Sequence, residues 1–231
     1  MGCVVCYSNL AGLLKQDAMN DPYTRPHSGS AALVLIDVQC DFYSDDAPLP
    51  IDGTRDAIPR MAKLATAFRR KRLPIVHVVR LYLPDGSNAD LVRRRSLEQG
   101  AQIAAPGSTG SQIAPELLPS PVELDHQLLL EGGFQQVGTR EHVMYKPRWG
   151  AFYLTKLEQH LREVGSDTLV FAGCNFPNCP RTSIYEASER DFRIVLVFEA
   201  ISGMYDGGIE ECRRIGVDVR NLDSALAWLN Q

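Results

Sequence analysis

An α/β fold, with a central and mainly parallel sheet covered by helices on both faces, is what this sequence predicts, on three observations. Short continuous apolar runs, such as Ala31 to Ile36 (AALVLI) and Leu169 to Ala172 (LVFA), have the composition of strands buried on both faces. These runs alternate with segments whose apolar residues recur at helical spacing, the pattern of βαβ units. The 231 residues, 45% hydrophobic and 23% charged, suffice for one large core. The expected organisation is an N-terminal extension over residues 1–30 and a single three-layer domain over residues 31–231.

In chain order, the extension holds Cys3-Val4-Val5-Cys6, a C-x-x-C with no strand before it and no paired ligands for zinc. Met1-Gly2-Cys3 has the look of an acylation start, but Cys6 stands where a myristoylation signal prefers Ser or Thr, and Met19 is an alternative start. The strand Ala31 to Ile36 ends at Asp37. Thr54 is read as the cap of a helix whose Ile58, Met61, Leu64, Ala65 and Phe68 fall on one face. Pro74 to Arg80 (PIVHVVR) is the second strand, with His77 a packed core residue because no second histidine follows at ligand spacing. Leu81 to Leu124 is rich in Pro, Gly, Ser and Arg with weak periodicity; it closes a pocket or contacts another subunit. His142 to Tyr145 is a short strand leading into Lys146. Thr155 and Glu158 form a capping-box pattern for a helix through Val164, stopped at Gly165. A strand from Thr168 meets a small-residue and proline turn, then a helix from Pro180 with Cys179 as its N-cap. The strand Arg193 to Phe198, helix Gly207 to Ile215, strand Val217 to Val219 and helix Leu222 to Leu229 complete the chain.

A formal net charge of -4 provides no electrostatic footprint for nucleic acid. The basic runs Arg69-Arg70-Lys71-Arg72 and Arg93-Arg94-Arg95 are short and read as solvated faces. No apolar run approaches the length of a membrane span, so no membrane partner is expected. Six scattered cysteines in a chain of this size point to reduced thiols and a cytoplasmic setting. No cofactor is implied, and the expected assembly is a homo-oligomer, dimer or tetramer.

In parallel sheets, ligands bind beyond the carboxyl ends of the strands. Asp37, Lys146 and Cys179 each follow such an end. At a helix N-terminus, Cys179 would face unpaired N–H groups and the positive end of the helix dipole, which lowers a thiol pKa. A thiolate attacking a carbonyl needs a proton acceptor, a positive charge and oxyanion donors. Asp37 fits the base that later acts as acid, Lys146 the electrostatic support, and the turn before Cys179 the donors. Taken singly, Asp37 is an ordinary turn residue, Lys146 an ordinary surface lysine and Cys179 a small buried cysteine; their convergence on one edge is what singles them out. A redox pair of Cys174 and Cys179 would leave Asp37 and Lys146 without a role. Phe42, Trp149 and Tyr153 lie close in sequence to these residues and could wall a pocket or simply pack in the core. Arg148 and Arg80 are open to two readings, holding a substrate carboxylate or carbonyl, or lying on the surface.

The runs LVLIDVQCDFY (Leu33 to Tyr43) and YKPRWGAFYLTKLEQHL (Tyr145 to Leu161), with the segment Gly173 to Gly203, resemble the three signature regions of the isochorismatase-like cysteine hydrolases. The resemblance spans about Ala31 to Val219. It implies an α/β/α Rossmann-like fold and an Asp37/Lys146/Cys179 triad that hydrolyses a C–N bond in a small amide-type molecule through a thioester. It also implies a cis Cys174-Asn175 peptide and an oxyanion hole from the N–H groups of Asn175 and Cys179. The nicotinamidase branch carries a metal-binding Asp and paired histidines after the second strand; here that region reads VVRLYLPDGSNADLV, so no metal site is carried over. A cysteine at position 179 favours amide, carbamoyl or lactam hydrolysis, including that of a streptothricin-type antibiotic, over isochorismatase-type vinyl-ether cleavage. Phe176-Pro177 departs from the family's usual Thr-Asp or Thr-Asn and is expected to alter the pocket wall, with Phe176 facing substrate. That departure also leaves open a non-hydrolytic binding or regulatory member of the same fold.

Overall fold

In the computed structural model, which describes residues 21–231, seven strands form one sheet. They are β1 (Ala31–Ile36), β2 (Ile75–Val79), β3 (Phe134–Gly138), β4 (Glu141–Tyr145), β5 (Thr168–Gly173), β6 (Arg193–Ile201) and β7 (Asp218–Arg220). Their order across the sheet is β3-β4-β2-β1-β5-β6-β7, and every pairing is parallel except β3 with β4. The C-x-x-C, the acylation start and Met19 lie outside the described residues.

β1 sits at the centre, with Leu33 in register with Ile75 on one side and Val170 on the other. All six of its residues are buried, as an all-apolar strand covered on both faces requires. The chain leaves β1 toward β2 and β4, and later adds β5, β6 and β7 on the other side. The order therefore reverses between β1 and β5, and a crevice opens there at the carboxyl ends of the strands.

The helices are α1 (Thr54–Lys71), α2 (Leu91–Glu98), α3 (His126–Leu130), α4 (Leu157–Glu163), α5 (Cys179–Ser188), α6 (Asp206–Arg214) and α7 (Leu222–Leu229). α1 packs against α7 and the sheet, burying Met61, Leu64, Ala65 and Phe68. Phe68 is fully buried, and shielding a side chain of its size stabilises by about 1.5–3 kcal/mol. A smaller cluster of Phe42, Tyr82, Ala89, Leu97, Ile103 and Ala104 holds α2 beside the crevice.

Several expectations are corrected. Gly53, at φ +76°, is the N-cap of α1; Thr54 is buried in its first turn and donates its hydroxyl to Ser202 Oγ at 2.9 Å. Lys156, without a side-chain cap, precedes α4; Thr155, one residue earlier, donates its hydroxyl to the Ala151 carbonyl at 2.6 Å and accepts from the Leu157 N–H at 3.4 Å. Cys179 is the first residue of α5 and Asn178 its N-cap. Residues 81–124 are not all loop: they contain α2 and two 3-10 turns, Thr109–Ser111 and Pro115–Leu117. α3 and the edge strand β3 were also outside expectation, since β3 (FQQVG) is half-exposed, with glutamines and a glycine in place of an apolar run.

Under the other end of the sheet, buried Glu141 accepts from Arg69 at 2.8 and 2.6 Å and pairs with His77 Nε2 at 2.7 Å. His77 is thus a satisfied core histidine, as expected from its isolation in sequence.

Candidate active site

Three strand ends deliver the three predicted residues. Asp37 follows β1 with φ +54°, its N–H held by the Val78 carbonyl at 2.8 Å. Lys146 follows β4, its N–H held by the Val79 carbonyl at 3.0 Å. Cys179 enters α5 after the turn that leaves β5.

Lys146 is fully buried beneath the crevice. Its ammonium has three protons and three acceptors: Asp37 Oδ2 at 2.9 Å, Cys179 Sγ at 3.2 Å and the Arg148 carbonyl at 3.1 Å. Burial alone would favour the neutral amine, but the Asp37 charge, with the Cys179 sulfur beside it, more than offsets it and holds the lysine above its ordinary pKa. Asp37 Oδ1 is buried and has no hydrogen-bond partner among the described residues, so one carboxylate oxygen is pinned while the other is available as a proton acceptor.

The thiol corrects the expectation of a lowered pKa. Burial and then the neighbouring Asp37 carboxylate push Cys179 up to about 12, with Lys146 pulling the other way. The side chain is part-buried beside a negative charge, and this outweighs the benefit of a helix N-terminus. At neutral pH the sulfur rests as a thiol. Cys174 is buried, donates to the Asp37 carbonyl at 3.0 Å and is also raised well above the ordinary thiol range by burial.

The turn from Gly173 to Cys179 is held by two bonds from outside and one within it. Cys174 N–H bonds to Ile36 O at 2.9 Å, Phe176 N–H to Ser202 O at 2.8 Å and Asn178 N–H to Asn175 O at 3.1 Å. Gly173 has φ +129°, and a Cβ there would lie 2.2 Å from the Ile36 carbonyl oxygen, so only glycine lets β1 and β5 approach at this point. The Cys174-Asn175 peptide is cis. The N–H groups of Asn175 and Cys179 make no hydrogen bond among the described residues, and both residues line the cavity beside Asp37.

That cavity measures about 40 Å³, enough for about three waters. Phe42 and Trp149 are in its wall. Arg80 also lines it, and is not a surface residue: it is buried, donates to Asp90 Oδ2 at 2.6 Å and the Lys146 carbonyl at 2.8 Å, and lies 4.4 Å from the Tyr82 ring centre. Three expected substrate-facing residues are elsewhere. Arg148 is bonded to the carbonyls of Asn88 (3.0 Å) and Pro147 (2.6 Å), and Tyr153 is half-exposed; neither lines the cavity. Phe176 is fully buried, packed on Tyr205 and against Gly208, so it points into the core and away from the cavity, while Pro177 is exposed and does not line the cavity either. The wall residues Tyr82, Asp90, Arg93 and Asn178 were not anticipated from the sequence. Asp90 alone carried a signal, as an Asp immediately before an apolar residue that starts a helix.

Among the described residues, no group of three or more His, Cys, Asp or Glu side chains is placed to hold a metal, and no helix is long and apolar enough to cross a membrane.

Residues 31–211 match the model of the isochorismatase domain. The chain is 26% identical over 216 residues to a ureidoacrylate amidohydrolase of Methylobacterium radiotolerans, covering 86% of this chain and 75% of the relative. It is 25% identical over 200 residues to a probable inactive nicotinamidase of Arabidopsis thaliana, covering 84% and 93%. Among solved structures, an isochorismatase family protein from Desulfovibrio vulgaris superposes with a TM-score of 0.75 at 29% identity, covering 87% of this chain and 99% of that one.

Proposed function

Because the chain belongs to the isochorismatase-domain family, we propose that it is a cysteine-dependent hydrolase of a non-peptide C–N bond in a small molecule. The observation that carries this reading is a single buried lysine held 2.9 Å from Asp37 and 3.2 Å from Cys179, both of which line one cavity. Relatives named as amidohydrolases support the C–N bond as the target.

In the proposed reaction, Asp37 Oδ1 takes the thiol proton as Cys179 Sγ attacks the substrate carbonyl carbon. A high resting thiol pKa requires this coupling of attack to proton transfer, because free thiolate is scarce at neutral pH. The N–H groups of Asn175 and Cys179 receive the oxyanion. Asp37 returns its proton to the leaving nitrogen, the C–N bond breaks, and a thioester remains. Water then attacks the thioester, with its proton passing through Asp37 to the departing sulfur. Lys146 keeps Asp37 oriented throughout. The reading includes a cytoplasmic, homo-oligomeric protein that needs no cofactor.

The test is ammonia release from a panel of amides, ureides and lactams by wild type and by Cys179→Ala. Turnover confined to wild type, with both proteins giving the same circular dichroism spectrum, is expected; an undiminished rate in Cys179→Ala overturns the proposal.

A further inference from the structure

The amino-terminal end of the sheet, opposite the crevice that holds Cys179, carries a second and larger cavity of about 470 Å³. That volume is in the range of small-molecule sites. Leu73, Ile75 and Val137 give it an apolar lining where β2 and β4 begin, and Arg69, Arg72 and Arg140 surround them. Arg69 and Arg72 are the first and last residues of the basic run, three apart at the end of α1 and so on one face of it, whereas Arg70 and Lys71 between them do not line the cavity.

Charge in this cavity does not balance. Its one carboxylate among the described residues, Glu141, is 2% exposed, and both of its oxygens are engaged by Arg69, one of them also by His77. Three arginines against one carboxylate leave two positive charges in excess. Arg72 makes no side-chain hydrogen bond or ion pair among the described residues, and Arg140 makes a single bond, from Nη2 to the Val164 carbonyl at 3.0 Å. A guanidinium carries five N–H donors, so nearly all of those on Arg72 and Arg140 are open to a ligand. The backbone adds an independent observation. Arg72 ends α1 at φ +55°, in the left-handed region where helices ordinarily close on glycine. Keeping a side chain at this position costs the fold, and the side chain kept is a guanidinium that lines the cavity.

We propose that this cavity is a binding site for an organic phosphate monoester, with the phosphoryl oxygens on Arg72 and Arg140 beside Arg69 and an apolar or ring body against Leu73, Ile75 and Val137. A phosphate monoester carries a charge of about −2 near neutral pH, which matches the excess; a carboxylate supplies half of it. The planar fork of arginine pairs with phosphate oxygens two at a time, which a lone point charge does not. The site lies at the other end of the sheet from the catalytic cavity and stands whether or not the hydrolase reading does.

Calorimetric titration of the full chain in phosphate-free buffer tests it with phenyl phosphate, with inorganic phosphate, which lacks the ring, and with benzoate, which keeps the ring but has a single charge. Phenyl phosphate is expected to bind about tenfold or more tighter than either of the others. Arg72→Gly and Arg140→Gln are each expected to weaken it about tenfold or more, and Cys179→Ala to leave its Kd unchanged. Glycine suits the left-handed backbone at position 72, so Arg72→Gly should unfold at the same urea concentration as wild type or a higher one, and its loss of binding is then separate from any loss of fold. A Kd for phenyl phosphate that neither arginine variant changes, equal affinity for the three probes, or no binding heat at millimolar phenyl phosphate overturns the site. A Kd that changes in Cys179→Ala places the probe in the catalytic cavity and overturns it as well.

Discussion

Replacing Lys146 by Met removes the charge while keeping most of the length of the side chain, and leaves Asp37 Oδ2, the Cys179 sulfur and the Arg148 carbonyl without their shared donor. At the 2.9 Å separation of Lys146 and Asp37, an effective dielectric of about 20 gives a Coulomb attraction of about 6 kcal/mol. The cost of desolvating a fully buried ammonium offsets part of this. The net loss on breaking a buried pair by removing one partner is about 3–5 kcal/mol. Most of that loss is the isolated Asp37 charge, so Asp37→Asn added to Lys146→Met should restore about 2 kcal/mol or more. Urea unfolding of the wild type, both single variants and the double variant gives the coupling energy directly. Turnover should fall about a thousandfold or more in each single variant, because Lys146→Met removes the donor that orients Asp37 and Cys179, and Asp37→Asn removes the proton acceptor itself. A Lys146→Met protein within about 1 kcal/mol of wild type, or a double variant whose loss is the sum of the singles, would refute a buried ion pair at the centre of the site.

Other outcomes follow from the same geometry. Because burial and Asp37 raise the Cys179 thiol, inactivation by iodoacetamide should quicken about tenfold per pH unit from pH 7 toward 10, whereas a plateau near pH 7 would indicate a resting thiolate. The same shift has a stability consequence: an unfolded thiol ionises near pH 9 while the folded one keeps its proton to about 12, so the urea midpoint should fall as pH rises through that interval, and fall less in Cys179→Ala. Arg69 and His77 hold Glu141 below its ordinary pKa despite burial pushing it the other way, so its stabilisation is present at neutral pH and fades as the pH drops below about 4.5; Glu141→Gln should cost about 3–5 kcal/mol at pH 7 and progressively less in acid. Gly173→Ala should lower stability by about 2–4 kcal/mol and suppress turnover in the protein that still folds, since its Cβ collides with the Ile36 carbonyl one residue before Asp37.

The sheet was legible in the sequence wherever a strand is buried on both faces. AALVLI and LVFA can form little else, and their ends located Asp37 and the turn before Cys179. β3 escaped notice because an edge strand half in water needs no apolar run. α2 escaped because its outer face carries Leu91 and Val92 exposed beside three arginines, which erases the helical periodicity. The meeting of Asp37, Lys146 and Cys179 could be read from strand ends alone, whereas the cavity wall could not. Phe176 and Tyr153 lie near the triad in sequence yet face the core and the solvent, while Asp90 and Arg93 come from a segment more than fifty residues away from Lys146. Nearness in sequence is a poor guide to a wall assembled across a sheet edge. The thiol pKa was misjudged for a related reason: the helix terminus is visible in the sequence, but the burial and the neighbouring carboxylate that outweigh it belong to the folded chain.

Acid-quenched mass spectrometry of wild type mixed with an accepted substrate in excess tests the nucleophile most directly. An adduct with the mass of the substrate's acyl part, on the peptide containing Cys179 and absent from Cys179→Ala, is the expected result. Continuing turnover with no adduct on wild type, and at the same rate in Cys179→Ala, would contradict a covalent reaction at this sulfur.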